Sequence, residues 1–261
     1  MRKYLSVFEI TVRSRLSSLG DLAGMAILLA IILFVFVQLW RITLGADGAV
    51  LEGFTLNEMI WYYVGTETII LSMLPIHRVL EREIREGDVA IRLNKPIGYV
   101  SFHAAAFLGE AFVRLFILIG VGGIVTTWLV GPLDFQWTSL PALLLIFFTS
   151  LLLNFTYSAI IGLSAFWTED VTGLFFVMDR MKWLLGGFLL PVSMFPEPLR
   201  TLAEWLPFRW MIYEPAKLLV HFSWADFARV LGAQVLVFVV VGGVVALMNH
   251  RGLKRLNVNG G

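Results

Sequence analysis

The residues able to do chemistry in this chain fall into two sets. One is the run 77–96, HRVLEREIREGDVAIRLNKP, with five basic and four acidic side chains in twenty positions. The other is a handful of ionisable groups inside apolar stretches: Glu67, the pair Glu110 and Arg114, and the cluster Asp179, Arg180 and Lys182. None of these spells an enzyme. His77, His103, His221 and His250 are scattered, with no HExxH and no pair at helical spacing, so no metal site is expected. There is no cysteine, hence no disulfide, thiolate ligand or cysteine nucleophile. Gly162-Leu163-Ser164-Ala165-Phe166 lacks the last glycine of a GxSxG elbow. No GxxxxGK(S/T) loop occurs, so the chain is expected to carry no nucleotide site and no cofactor of its own.

What remains is the chemistry of charge in and beside a bilayer. A charged side chain at a membrane-helix centre costs about 2.5–3.5 kcal/mol on insertion scales, so one that is retained has a partner or a role. Glu110 and Arg114 are four residues apart and are expected to pair. Asp179 and Lys182 are three apart and are expected to pair likewise, leaving Arg180. For Glu67, Asp179 and Arg180 two readings stay open: structural pairing, or a place in a translocation path or subunit interface.

The elements that must position these groups follow from composition. The chain has 261 residues, 58% hydrophobic and 15% charged, with net charge +1. Soluble domains carry roughly a quarter charged residues. This is the composition of an integral membrane protein, and it makes nucleic acid an unnatural partner. About 20 apolar residues cross a bilayer as a helix. By that measure six spans are expected, near 22–40, 57–76, 104–130, 141–166, 171–192 and 229–248, in a single all-α domain over 1–261. Ahead of them, residues 1–20 put Tyr4, Leu5, Phe8, Val12, Leu16 and Leu19 on one helical face and Arg2, Ser6, Glu9, Arg13 and Ser17 on the other. That pattern suits a helix lying in the membrane interface. The interval 191–228 has five prolines and many aromatics but little charge. Short helices dipping into the outer leaflet are expected there, since irregular backbone at membrane depth needs protein or a wet cavity around it.

Orientation follows from Lys and Arg near the span ends. Twelve lie on the side of both termini and five on the other, so both termini and the run 77–96 are expected in the cytoplasm. Entering that run, Ile76, Val79/Leu80 and Ile84 recur at helical spacing, and Glu81 with Arg85 and Arg82 with Glu86 are expected as i,i+4 ion pairs. The second span is therefore expected to continue as a charged helix and to stop at Gly87, with Asp88 capping the next turn. Charge alternates with Val89, Ile91 and Leu93, which a purely solvated link would not need.

These features resemble the membrane subunits of type-2 ABC exporters, the ABC-2 permeases, and more narrowly a branch of about 260 residues that includes viologen-exporter permeases. The resemblance spans essentially the whole chain. It rests on the N-terminal interfacial (elbow) helix, the six-span plan, the loop EIREGDVAIRLNKPIGY and the late stretch LLGGFLLPVSMFPEPLRTLAEWLPF. It implies that residues 81–93 are a coupling helix seated on a separate ATPase subunit, with Glu81, Arg82, Arg85, Glu86, Val89, Ile91 and Leu93 at the contact. It implies outer re-entrant helices at about 191–215. It further implies that ATP and Mg are bound by the ATPase partner, and that a second ABC-2 permease or a second copy of this chain completes the path. The expected location is the bacterial inner membrane, among lipid. Two rival classes are an ion-coupled secondary transporter with Glu67 as proton carrier, and a membrane scaffold that transports nothing.

Overall fold

The computed structural model describes residues 2–44, 50–168 and 170–259, without the side chains of 256–259. The helices are α1 (Arg2–Leu16), α2 (Leu19–Leu44), α3 (Leu56–Ser72), α4 (Ile76–Glu86), α5 (Asp88–Leu93), α6 (Tyr99–Val130), α7 (Leu140–Leu163), α8 (Thr172–Leu185), α9 (Glu197–Trp205), α10 (Phe208–Met211), α11 (Tyr213–Val220) and α12 (Trp224–Asn259). No strand forms among the described residues. Among the described residues, five stretches are long and apolar enough to cross a membrane: α2, α3 together with α4, α6, α7 with its flanking 3-10 turns, and α12.

Polar ties between elements define the two ends of the bundle. At one end Arg41 donates to the Leu129 carbonyl at 2.9 Å, Asn57 to the Val130 and Gly131 carbonyls at 3.0 Å, and His221 Nε2 lies 3.0 Å from the Glu58 carboxylate. At the other end Lys3 reaches the Pro96 carbonyl, the Gly98 N–H donates to the Tyr4 hydroxyl at 3.4 Å, and the Val171 N–H donates to Glu81 at 3.3 Å. Gly252, late in α12, lies against the Phe166 ring at this second end. The second end, here the loop end, thus gathers α1, α4, α5 and the starts of α6 and α8. Between the two ends run those five stretches, and the shorter α8 as well.

The span expected at 171–192 differs in the structure. Its helix, α8, is 14 residues long. At about 1.5 Å per residue it is roughly 21 Å long, short of a hydrocarbon core of about 30 Å. The helix stops because Gly186 and Gly187 follow, with Gly187 at φ +81°. A Cβ at Gly187 would sit 3.0 Å from the Tyr213 Cβ and 3.1 Å from the Tyr62 hydroxyl, so only glycine fits. The unwound backbone is not left bare. Tyr62 and Tyr63 of α3 donate their hydroxyls to the Gly187 and Leu189 carbonyls. Beyond it a 3-10 turn, α9, α10 and α11 fill the far end, as the aromatic and proline content of 191–228 led one to expect.

The second span also differs. It does not run unbroken into the charged helix: α3 ends at Ser72, Met73 is extended at φ −72° and ψ 142°, and α4 restarts after Pro75. The proline ring excludes the helical conformation at Leu74 and Pro75 offers no N–H, so the ladder is interrupted there. The stop at Gly87 holds: its φ is +80°, and its N–H caps the Ile84 carbonyl at 3.3 Å. Asp88 does not cap the next turn, since Gly87 occupies the N-cap of α5 and no side-chain cap bond forms.

Burial explains the arrangement. Most of α3 is enclosed: Met59, Ile60, Tyr62, Tyr63 and Ile69 are fully buried, with Phe36 stacked on Tyr63. A capping box starts it, with the Glu58 N–H donating to the Thr55 hydroxyl and the Thr55 N–H to the Glu58 carboxylate. α7 packs on α4 at Gly162, where a Cβ would lie 2.8 Å from Leu80 and 3.0 Å from His77, a contact that small residues make possible in membranes. α2 and α12 instead turn rows of apolar side chains outward, such as Ile27, Ile31, Phe34, Val235, Leu236 and Val239. α1 packs along α6, with Phe8 edge-on to Phe112 at 5.7 Å. Its inward face is Tyr4, Val7, Phe8, Thr11, Val12 and Arg15, while Leu5 and Leu16 of the expected apolar face point outward.

Candidate functional site

The run 77–96 folds into α4, the turn at Gly87 and α5, which together form a bent unit at the loop end. Ile76, Leu80 and Ile84 face inward on α4, and Val89 on α5 is fully buried. Arg82, Arg85, Glu86, Ile91 and Leu93 are exposed. The unit is therefore two-faced, with one side built into the bundle and one side free. Of the seven residues singled out along it, Val89 belongs to the built-in side and cannot present a side chain outward. Glu81 is mostly enclosed, accepting from the Val171 N–H at 3.3 Å and lying 3.8 Å from Arg85. Arg82 and Glu86 form no ion pair with each other. On the free side Arg78, Arg82, Arg85 and Glu86 join Asp170 and Thr172 around a charged cleft of about 580 Å³. Asp170 accepts from the Thr172 hydroxyl and, at 2.7 Å, from its N–H, which holds its carboxyl below the usual range.

What fixes this unit is a group that the reading of the sequence passed over. Glu83 is buried on the inward face of α4. It pairs with Arg92 of α5 and lies 2.9 Å from His103 Nε2 of α6. Arg92 also sits 4.8 Å over the Phe102 ring. Three elements are tied through one carboxylate, so α5 cannot swing away from α4 without leaving a charge buried alone. The signal was present on α4: Glu83 falls on the face marked by Leu80 and Ile84. His103, twenty positions away, carries no such mark.

The charges inside the bundle separate into three situations. Asp179 and Lys182 pair at 3.0 Å and are both buried, as their spacing implied. Glu110 and Arg114 also pair, joined by Arg15 of α1, whose Nε lies 3.6 Å from Glu110. Arg180 points the other way. It is exposed on α8 beside Leu174, Phe176, Val177 and Leu184, with its guanidinium 5.4 Å from the Phe176 ring and 4.7 Å from Trp183. Glu67 is 2% exposed and forms no hydrogen bond or ion pair with the described residues. Its place on α3 follows Tyr63 by one turn. The structure therefore does not bring Glu67, Asp179 and Arg180 into one site: the first is enclosed, the second neutralised, the third turned outward. Among the described residues no cluster of His, Asp and Glu is arranged to hold a metal.

No curated protein matches the chain at a significant level. A protein-family model described as ABC-2 family transporter protein matches residues 22–260, which takes in all but the first residues of α2 and nearly everything after it, and leaves α1 outside. With the long apolar helices, the two-faced unit at the loop end and that match over most of its length, the chain belongs to the ABC-2 transporter family.

Proposed function

We propose that this chain is the membrane subunit of an ATP-driven exporter, seated on a separate ATPase through the free side of α4 and α5. The observation that carries the reading is the two-faced build of that unit. Its exposed Arg82, Arg85, Glu86, Ile91 and Leu93 combine an apolar centre with a charged rim, as protein interfaces do. Its other side is bound to α6 through Glu83 and to α8 through Glu81, so a push on the free side reaches two traverses directly. ATP and Mg belong to the ATPase partner. The loop end faces the cytoplasm of a bacterial inner membrane, following the excess of Lys and Arg there. The outward face of α8 around Arg180 is where a second permease, identical or related, completes the path.

The test is capture of the ATPase by the Ile91→Asp, Leu93→Asp variant, with membrane level checked in parallel. Burying an aliphatic side chain is worth about 1.5–3 kcal/mol, so losing both should weaken capture about a hundredfold or more. Undiminished capture at normal membrane level would remove this surface from the interface. One observation favours a second reading, ion-coupled transport: the buried, unpartnered Glu67. Its discriminator is transport driven by a proton gradient in vesicles that contain the chain and no ATPase.

A further inference from the structure

Between the α3–α4 joint, α7 and α8 lies a half-enclosed chamber of about 200 Å³. Five polar side chains, His77, Asn154, Ser158, Asp179 and Lys182, are set among the apolar residues of its wall. The Asp179–Lys182 pair lines it, with Lys182 Nζ 3.5 Å from the Met73 sulfur. Asn154 and His77 line it as well, each 3% exposed. Both bring an atom without a partner: the Asn154 Oδ1 and the His77 Nε2. The Asn154 amide nitrogen is already used on the Ser150 carbonyl at 3.0 Å, so the free oxygen is not a matter of which way the amide is turned. The other His77 nitrogen, Nδ1, is 3.5 Å from the Ser158 hydroxyl, and the ring is stacked on Phe175 at 3.7 Å.

Two buried polar atoms without partners are costly to leave dry. An ion pair shut in hydrocarbon adds a larger penalty. A chamber of about 200 Å³ is far above the roughly 10–15 Å³ that one water needs, and it offers the two or more polar partners each water requires. Its position adds the second half of the argument. It sits at Met73, Leu74 and Pro75, where the ladder between span and charged helix is broken. Along α4 the next residue after His77 is Arg78, which already lines the charged cleft at the loop end.

We propose that this chamber is a water-binding site, holding a small cluster of ordered water in exchange with the aqueous phase at the loop end. The water solvates the Asp179–Lys182 pair and the two free acceptor and ring positions, and it makes the α3–α4 joint a hinge that can bend without stripping polar groups bare. The site goes beyond the docking surface and does not depend on it; only the hinge role rests on the transport reading.

The lack of cysteine makes the test direct. In the full chain in native membranes, Ser158→Cys should react with 2-aminoethyl methanethiosulfonate at least tenfold faster than Leu153→Cys. The latter is on the same helix but sits in the apolar core at 1% exposure. The thiolate attacks the reagent's sulfur and expels methanesulfinate, and the thiolate forms only where water reaches. Equal, slow labelling at both positions, at normal membrane level, would mean a dry chamber and would overturn the proposal. A readout on the unaltered chain guards against a folding artefact. Radiolytic hydroxyl labelling should oxidise His77 and Met73 well ahead of Met59, which is fully buried; equal protection of all three overturns it too. For the hinge role, Asn154→Leu should slow transport severalfold while ATPase capture stays normal. Transport at the unaltered rate, with Ser158→Cys labelling abolished by the same change, would refute that role and leave the docking surface untouched.

Discussion

Glu83 shows how much of the α4–α5 unit depends on one side chain. It reaches α5 through Arg92 and α6 through His103, so removing it strands two polar groups against the bundle. A hydrogen bond to a charged group is worth about 1.5–3 kcal/mol. Glu83→Ala should therefore lower the thermal midpoint, by about 2–4 °C per kcal/mol for a chain of this length. Glu83→Gln should recover part of the loss, because the amide still bonds to one neighbour. It should also weaken ATPase capture without touching an exposed residue. An unchanged midpoint for the alanine variant would show that the three elements are held together by other means. Pairs close in sequence could be read beforehand: Glu81 with Arg85, Glu110 with Arg114, Asp179 with Lys182. The helix repeat alone sets their distance. Glu83 and His103 meet only because α4 folds back against α6, which no local spacing encodes.

At the scale of elements, the two breaks in the helical plan matter most. The long apolar helices and the short far-end helices were legible from hydropathy and proline content. The interruption at 73–75 and the early stop of α8 were not, because average hydropathy does not notice where a backbone ladder fails. Pro75 was the visible cause of the first. Gly186 and Gly187 were the cause of the second, but glycines are common in membrane helices and only the contacts with Tyr62 and Tyr213 make this pair decisive. The tyrosine hydroxyls carry a prediction of their own. Tyr62→Phe with Tyr63→Phe leaves the Gly187 and Leu189 carbonyls without donors, at a cost of about 1–3 kcal/mol each. Amide exchange across 186–195 should then speed up by an order of magnitude or more, with α3 itself unaffected. Exchange at the original rate would mean that this segment is held by packing alone.

For the whole molecule, the strongest statement concerns sides. α1, the α4–α5 unit and the end of α12 share one end, and the far end holds α9 to α11. With the Lys and Arg excess at the loop end, a single cysteine at Glu86 should be modified in inside-out vesicles and spared by an impermeant reagent in intact cells. Labelling from outside would invert the assignment. A single cysteine at Trp205, which is 86% exposed at the far end, should show the opposite pattern. Charge bias and the long apolar helices were both readable in the chain itself. What could not be read is which outward faces meet lipid and which meet protein, since α2 and α12 are apolar there, α8 is apolar around Arg180, and hydrocarbon and a partner helix ask for the same apolar side chains.

The shortness of α8 has a consequence for how the protein is made. A segment of 14 residues carrying Asp179, Arg180 and Lys182 is a poor client for the insertion machinery when judged alone. The polar partners it draws from other elements come earlier in the chain: the Tyr62 and Tyr63 hydroxyls for its unwound end, the Tyr157 hydroxyl of α7 for the Met178 carbonyl, Met73 beside Lys182, and Glu81 for the Val171 amide at its start. Order of synthesis thus becomes part of the folding code. α3, α4 and α7 must already be assembled when α8 leaves the ribosome, and the segment enters the membrane as a lodger in a prepared cleft.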